Sequence, residues 1–373
     1  MIELLQVRMR RLLRRVLTRP RIDLPLAAGL LLLSMVGLAT LYSAADGSVA
    51  LVGGQAVRFV LGFALLLLIS RIPPSTLRNW TPWLYAGSTL LLVVVAVLGE
   101  GRGADRWLNL GVMRFQPSEL VKLTMPMMAA WYLHPRQLPP GWKDIAVVGV
   151  LIAIPAVLIA RQPDLGTALL VAAAGAFALF LSGMAWWRIG LLLGGAGAMV
   201  PVVWHLPFIH QYQRERVLTL LNPESDPLGN GWHIIQSQIA VGSGGVFGKG
   251  WMHSSQSRLD FLPEHTTDFI FAVFSEEFGL VGVCLMVALY AFIIGRCLWI
   301  AMEARDTYSR LLAGAIGMSL FVYVFVNGGM VSGMLPVVGV PMPMVSYGGT
   351  SAVTLLTGFG MLMSIHAHRK RHD

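Results

Sequence analysis

Apolar runs close to the length of a bilayer-spanning helix recur along most of this chain, separated by short polar connections. They fall at residues 24–42, 49–71, 80–98, 117–133, 145–160, 165–183, 188–204, 268–301, 311–334 and 346–366. A helix needs about 20 such residues to cross the hydrocarbon core. The pattern therefore predicts an all-α polytopic integral membrane protein with about ten transmembrane helices. The longest polar connection, 205–267, separates the seventh from the eighth. Neither an internal repeat, a heptad pattern nor a low-complexity tract divides the chain, so residues 1–373 read as one membrane domain.

The charges orient this bundle. A basic head (1–23, with Arg8, Arg10, Arg11, Arg14, Arg15, Arg19 and Arg21) and a basic tail (367–373, after His366) mark both ends as cytoplasmic. An even number of spans agrees with that. The head could open a signal peptide, but the run 24–42 exceeds the roughly 7–15 apolar residues of such a segment and is expected to be a retained first span. The connections 99–116, 161–164, 205–267 and 335–345 then lie outside, where function is expected to face.

Composition sharpens the class. The chain is 55% hydrophobic and 13% charged, with a mean hydropathy of +0.67, more apolar surface than a water-soluble domain buries. The formal charge of +9 sits in short runs between spans and at the ends, which reads as topology signals and contacts with anionic membrane lipids, not as a nucleic-acid face. Cys284 and Cys297 share one apolar run and read as small buried hydrophobes.

Candidate chemistry concentrates in FLPEHTTDFIFAVFSEEFGLVG, residues 261–282. Two threonines able to cap a helix precede Asp268, which is expected in the first turn of an apolar helix. A carboxylate there complements the helix dipole. It would also be partly desolvated, which raises its pKa towards the range of a general base. Glu276 and Glu277 follow; adjacent helix residues point about 100° apart, so both cannot face the cavity of Asp268. They are either functional or paired with a neighbouring helix.

A second constellation is Glu119 and Lys122, after Phe115, Gln116, Pro117 and Ser118. Proline suits a helix start, and the i,i+3 spacing brings the charges onto one face. This is a structural ion pair or a lysine lining a groove for an anionic headgroup. Arg102, Asp105, Arg106, Trp107 and Arg114 put cations and an indole into the preceding loop, as at a headgroup interface. In RQPDLGTALL, 161–170, a Gln162-Pro163 turn leads to Asp164, a helix cap or a substrate or metal contact.

The long loop carries 232–241, suited to a helix lying in the interface plane. Glycines 242, 244, 245, 248 and 250 surround Lys249 and would let backbone amides approach an anion; the spacing is not that of a Walker A loop. Glu264 and His265 are metal-ligand types but do not define a site, and the metal stays unassigned. Pro336, Pro341 and Pro343 before SYGGTS suit a re-entrant or cavity-lining segment, the alternative being that Gly348 and Gly349 only let helices pack closely.

Taken together, FQPSEL (115–120), QPDLGTA (162–168), NPESDPLGNGWHIIQSQIAVGSGG (222–245), FLPEHTTDFIFAV (261–273) and PVVGVPMPMVSYGGT (336–350) resemble the SEDS family (shape, elongation, division and sporulation). Among its branches the wording near the end is most similar to the rod-shape, elongation member. The resemblance implies a ten-span peptidoglycan glycosyltransferase of the bacterial inner membrane. Such an enzyme polymerises lipid II, and undecaprenyl-linked glycan, at the periplasmic face during cell elongation. It works with a class B penicillin-binding protein and other elongation-complex proteins. The family's catalytic aspartate falls on Asp268, its Glu/Lys pair on Glu119 and Lys122, and its QPD aspartate on Asp164. Gln116, Arg106, Trp107, Lys249, Glu264 and His265 are further candidates for substrate binding. A divalent cation, Mg2+ or Mn2+, could share the leaving-group charge. A flippase for the same precursor, or a non-catalytic scaffold of the penicillin-binding protein, are the competing classes.

Overall fold

The computed structural model describes residues 22–98, 108–109, 114–205, 211–226, 229–258, 262 and 264–369. Each apolar run forms a helix, and local capping chemistry fixes several of the starts. Asp23 accepts from Leu26 N at the head of α1 (Leu24–Ala44), and Ser48 from Leu51 N at α2 (Val49–Ile69). Pro74 opens α3 (Pro74–Leu98), and a two-residue antiparallel pairing, β1 (Leu108–Asn109) with β2 (Arg114–Phe115), leads into α4 (Pro117–Leu133). Then come α5 (Trp142–Arg161), α6 (Leu165–Leu181) and α7 (Trp186–His205).

The long connection is itself folded, into α8 (Gln211–Leu221), α9 (Asn230–Ser243) and the single turn α10 (Ser255–Arg258). The bundle closes with α11 (Ile270–Met302), α12 (Thr307–Val331) and α13 (Ser351–Ala367). Helices α1, α2, α5, α11 and α12 are long and apolar enough to cross a membrane by length and composition, and α6 and α13 are shorter apolar helices. The architecture is that of a polytopic all-α membrane protein.

Helix α12 runs through the middle and packs on α11, α6 and α4. Most of its apolar window is buried, against about a fifth for α2, α5 and α11. Those peripheral helices turn residues such as Val60, Leu61 and Val150 outward, the surface that lipid covers in a polytopic protein. Away from the long connection, Arg296 of α11 donates to both oxygens of Asp23 (Nη2 to Oδ2 2.6 Å) and His366 of α13 lies 3.4 Å from Asp23. This buried carboxylate ties the first helix to two of the last three.

Three expectations need correction. The apolar run from 268 does not start a helix at Asp268: α11 begins at Ile270, and Asp268 sits in the turn before it. Nor is α11 continuous, because Gly279 takes φ 62°, ψ −163° and breaks it. The freed backbone groups are met by the glycine-rich loop: Leu280 N and Val281 N donate to Gly245 O and Val246 O, while Lys249 N and Gly250 N donate to Glu276 O and Glu277 O. Both backbones must be bare here, since a Cβ on Gly279 would lie 2.3 Å from Gly248 N and one on Gly248 2.1 Å from Glu277 O. Finally, the last helix starts at Ser351, not 346, and α9 packs against α11 and α12 through Ser237 Oγ, which donates to Val331 O at 2.9 Å.

Candidate active site

The motif residues, far apart in sequence, converge on one cavity of about 430 Å3 at the end of the bundle that carries the long connection. Its walls are the start of α4 (Gln116, Glu119, Lys122), the turn before α6 (Pro163, Asp164) and Arg216 of α8. The turn before α11 (Thr267, Asp268) and the irregular segment around 338–350 close it.

Asp268 is placed by a six-residue turn in which Thr267 N and Phe269 N donate to Glu264 O. The Thr267 hydroxyl donates to Glu264 Oε2 at 2.6 Å, so this threonine serves the turn and does not cap α11. The residue at the helix N-cap, Phe269, makes no side-chain cap either; its ring stacks on His233 of α9 at 5.7 Å. The partly buried carboxylate points across the cavity, with Oδ2 3.5 Å from where a Cβ on Gly339 would stand. Burial, then the negative charge of Glu264, pushes the Asp268 carboxyl up to about 6, against the pull of Arg216; Asp164 adds to the rise. A carboxylic acid so placed changes charge near neutral pH.

Glu119 and Lys122 occupy one face of α4 with Lys122 Nζ 2.6 Å from Glu119 Oε1. The ammonium stands 5.5 Å from the Tyr323 ring centroid on α12. Both side chains are nearly buried, and Glu119 Oε2 makes no hydrogen bond among the described residues. Asp164 caps α6, as its position in the QPD turn predicts, with Oδ1 accepting from Thr167 N at 3.1 Å. Its other oxygen takes Gln116 Nε2 at 3.1 Å, which joins α4 to α6 across the cavity floor. The backbone of 335–345 presses on the start of α6 so closely that a Cβ on Gly166 would lie 2.6 Å from Val338 O.

Asp268, Glu119, Lys122, Asp164 and Gln116 are therefore brought together. Lys249 is not: it pairs with Glu276 Oε1 at 2.6 Å and does not line the cavity. Glu264 acts on Asp268 through charge from an exposed position, and His265 Nδ1 bonds Leu262 O at 2.8 Å. Arg106 and Trp107 lie outside the described residues. Neither glutamate after Asp268 reaches the cavity; Glu276 holds the loop 249–256, and Glu277 accepts from Ser43 Oγ of α1. Among the described residues no cluster of three or more His, Cys, Asp or Glu could hold a metal ion.

Sequence reasoning missed Arg216 and Asn327. Arg216 sits in the run Gln213–Arg214–Glu215–Arg216, which reads as surface charge until α8 folds over the cavity. Asn327 is a lone amide in an apolar helix, fully buried, and polar residues in that setting carry a functional prior that could have flagged it.

A broken-helix polytopic bundle with a charged cavity at one end defines the class: a membrane protein with an intramolecular site for a polar group. The chain belongs to the family described as "Cell cycle protein", which comprises FtsW, RodA and SpoVE and matches residues 20–371; this is the family its motifs resemble. It is 49% identical to the peptidoglycan glycosyltransferase MrdB of Escherichia coli (strain K12) over 342 residues, 91% of this chain and 92% of that protein. A solved peptidoglycan synthase complex that coordinates polymerization and crosslinking contains a chain with a similar structure. Its TM-score is 0.81 at 33% identity, covering 95% of this chain and 99% of that one. The rod shape determining protein RodA of Thermus thermophilus superposes with a TM-score of 0.71 at 30% identity, covering 94% and 98%.

Proposed function

We infer that this chain is a peptidoglycan glycosyltransferase that polymerises lipid II during cell elongation, and that Asp268 is its general base. The observation that carries this reading is a partly desolvated carboxylate facing a charged cavity of about 430 Å3, within the usual range for small-molecule sites. Asp268 takes the proton of the acceptor sugar's 4-hydroxyl as that oxygen attacks the anomeric carbon of the lipid-linked donor. The bond from that carbon to the diphosphate breaks, and undecaprenyl diphosphate leaves with the electron pair. One displacement inverts the anomeric centre.

Charge develops on the departing diphosphate, and Lys122 and Arg216 are the cations lining the cavity to receive it. Arg216 takes the place that Lys249 would have had, because Lys249 is bound to Glu276. Mg2+ or Mn2+ needs only one or two protein carboxylates when substrate phosphates complete its shell. Asp164 suits that role, and the ion would neutralise diphosphate charge.

The cavity opens beside the long connection, so it faces the periplasm if both basic ends are cytoplasmic in the inner membrane. A class B penicillin-binding protein is the partner, supported by the likeness to a synthase complex. The test is lipid II polymerisation by the purified chain with its cognate penicillin-binding protein, wild type against Asp268→Ala at matched complex yield. Glycan strands from wild type only are the expected result. Equal polymer from both removes Asp268 as the base. Precursor movement across vesicles without polymer favours a flippase, and partner activation by either variant favours a scaffold.

A further inference from the structure

The turn that carries Asp268 is held by residues that the reaction scheme does not use. Its three successive carbonyls are each taken from outside the turn. Thr266 O accepts from Tyr347 N at 2.8 Å, Thr267 O from Ser346 Oγ at 2.5 Å, and Asp268 O from Asn327 Nδ2 at 2.8 Å. Asn327 comes from α12, and the other two donors come from the 335–350 segment that walls the cavity.

Asn327 does more than satisfy one carbonyl. The second hydrogen of the same Nδ2 goes to Val340 O, also at 2.8 Å, so one amide nitrogen joins the Asp268 turn to the opposite wall. Val340 follows Gly339, the residue that Asp268 Oδ2 faces. Two carbonyl partners fix the orientation of the amide, since a flipped oxygen would face both acceptors. Asn327 Oδ1 is buried with no partner among the described residues, so the hydrogen bonds given for this side chain are those its Nδ2 donates. Ser346 repeats the design, because its hydroxyl accepts from Met342 N at 2.7 Å while it donates to Thr267 O.

Among the described residues no side-chain cap holds this turn at its helix end: Phe269 makes none on α11, and Asp268 precedes the first helical residue by two positions. We propose that Asn327 and Ser346 are positioning residues for Asp268, which clamp its turn to the 335–350 wall and so set the height of the carboxylate over the bound sugar. The inference rests on Asp268 as the general base. Misplacing a reacting group by about 1 Å costs on the order of 100-fold in rate, which is the scale expected for loss of the clamp.

The test uses the purified chain with its partner, lipid II as probe, and the variants Asn327→Leu and Ser346→Ala beside Asp268→Ala. For Asn327→Leu the expected result is kcat lower by about 10–100-fold with KM within about threefold. The acidic limb of the pH–rate profile should move down as the freed carboxylate meets water. Ser346→Ala should show the same split in smaller measure, and Ser346→Thr, which keeps the hydroxyl, should restore much of it. Thermal unfolding and gel filtration identify misfolding; if Asn327→Leu is not native, the serine pair carries the test. Loss of kcat with an unmoved acidic limb, or unchanged activity, overturns the clamp while Asp268→Ala stays inactive. Activity in Asp268→Ala overturns the base assignment instead.

Discussion

Lys249 Nζ lies 2.6 Å from Glu276 Oε1, and the same fully buried carboxylate accepts from Ser254 Oγ, Ser255 Oγ, Ser255 N and Gln256 N. One side chain thus collects the loop 249–256 onto the half-helix that follows Asp268. Breaking a buried ion pair costs about 3–5 kcal/mol. Lys249 is one-third exposed and four other donors remain, so Lys249→Met should lose only about 2 kcal/mol, below that range. Glu276→Ala removes every bond at once and should lower the melting temperature further. Thermal unfolding in detergent checks the order; equal melting temperatures for both variants and wild type would mean that the loop is held elsewhere.

The raised pKa of Asp268 makes two pH predictions of opposite sign. On the proposed assignment the carboxylate acts ionised, so kcat/KM should fall as pH drops through about 6. Glu264→Gln removes a raising charge and should move that limb down, whereas Arg216→Gln should move it up. For stability, the folded chain binds the Asp268 proton more tightly than the unfolded chain between 3.8 and about 6. Folding therefore loses stability as pH rises through that window. Asp268→Asn should be inactive yet melt higher than wild type above pH 6. An Asn variant that melts lower there would show that the carboxylate stabilises the turn.

The helix break at Gly279 gives a sharper test of architecture. Gly279→Ala puts a Cβ at positive φ and 2.3 Å from Gly248 N, and Gly248→Ala puts one 2.1 Å from Glu277 O. Neither neighbour is a flexible side chain, so each variant should lose roughly 3 kcal/mol or more through backbone strain and the broken pairing. Gly295→Ala, in the same helix with open space around it, is the control and should fold normally. A normal yield and melting temperature for Gly279→Ala would show that α11 can run straight.

These cases mark what could be read in the sequence. The spans were legible because lipid demands long apolar runs, and Glu119–Lys122 and Asp164 because helix spacing and N-capping are local rules. The break at Gly279 was not, since apolar residues continue on both sides and only the distant loop 245–250 supplies the missing partners. Asp268 was expected inside a helix for the same reason: the donors that take the carbonyls of its turn lie far off, Asn327 59 positions from Asp268 and Ser346 79 positions from Thr267. Lys249 looked like an anion-binding lysine in a glycine-rich loop until Glu276, 27 positions on, claimed it. Local chemistry could be read locally; its partners could not.

Arg216 offers the most direct test of how charge on the departing diphosphate is met. Lys122 pairs with Glu119 at 2.6 Å and stands over Tyr323, inside the bundle. Arg216 reaches the same cavity from α8, in the long connection, and its guanidinium can meet two phosphate oxygens at once. Removing one donor to a developing oxyanion costs about 100–1000-fold in kcat. Arg216→Met should fall in that range, with its acidic limb raised because a positive neighbour of Asp268 is gone. Arg216→Lys keeps the charge and loses the fork, so its limb should stay near wild type while kcat falls by a smaller factor. Single-turnover polymerisation separates the two effects, since the limb reports on Asp268 and the plateau on the leaving group. A plateau unchanged in Arg216→Met would assign the diphosphate to Lys122 alone, and a limb that does not rise would show that Arg216 is too screened to act on Asp268.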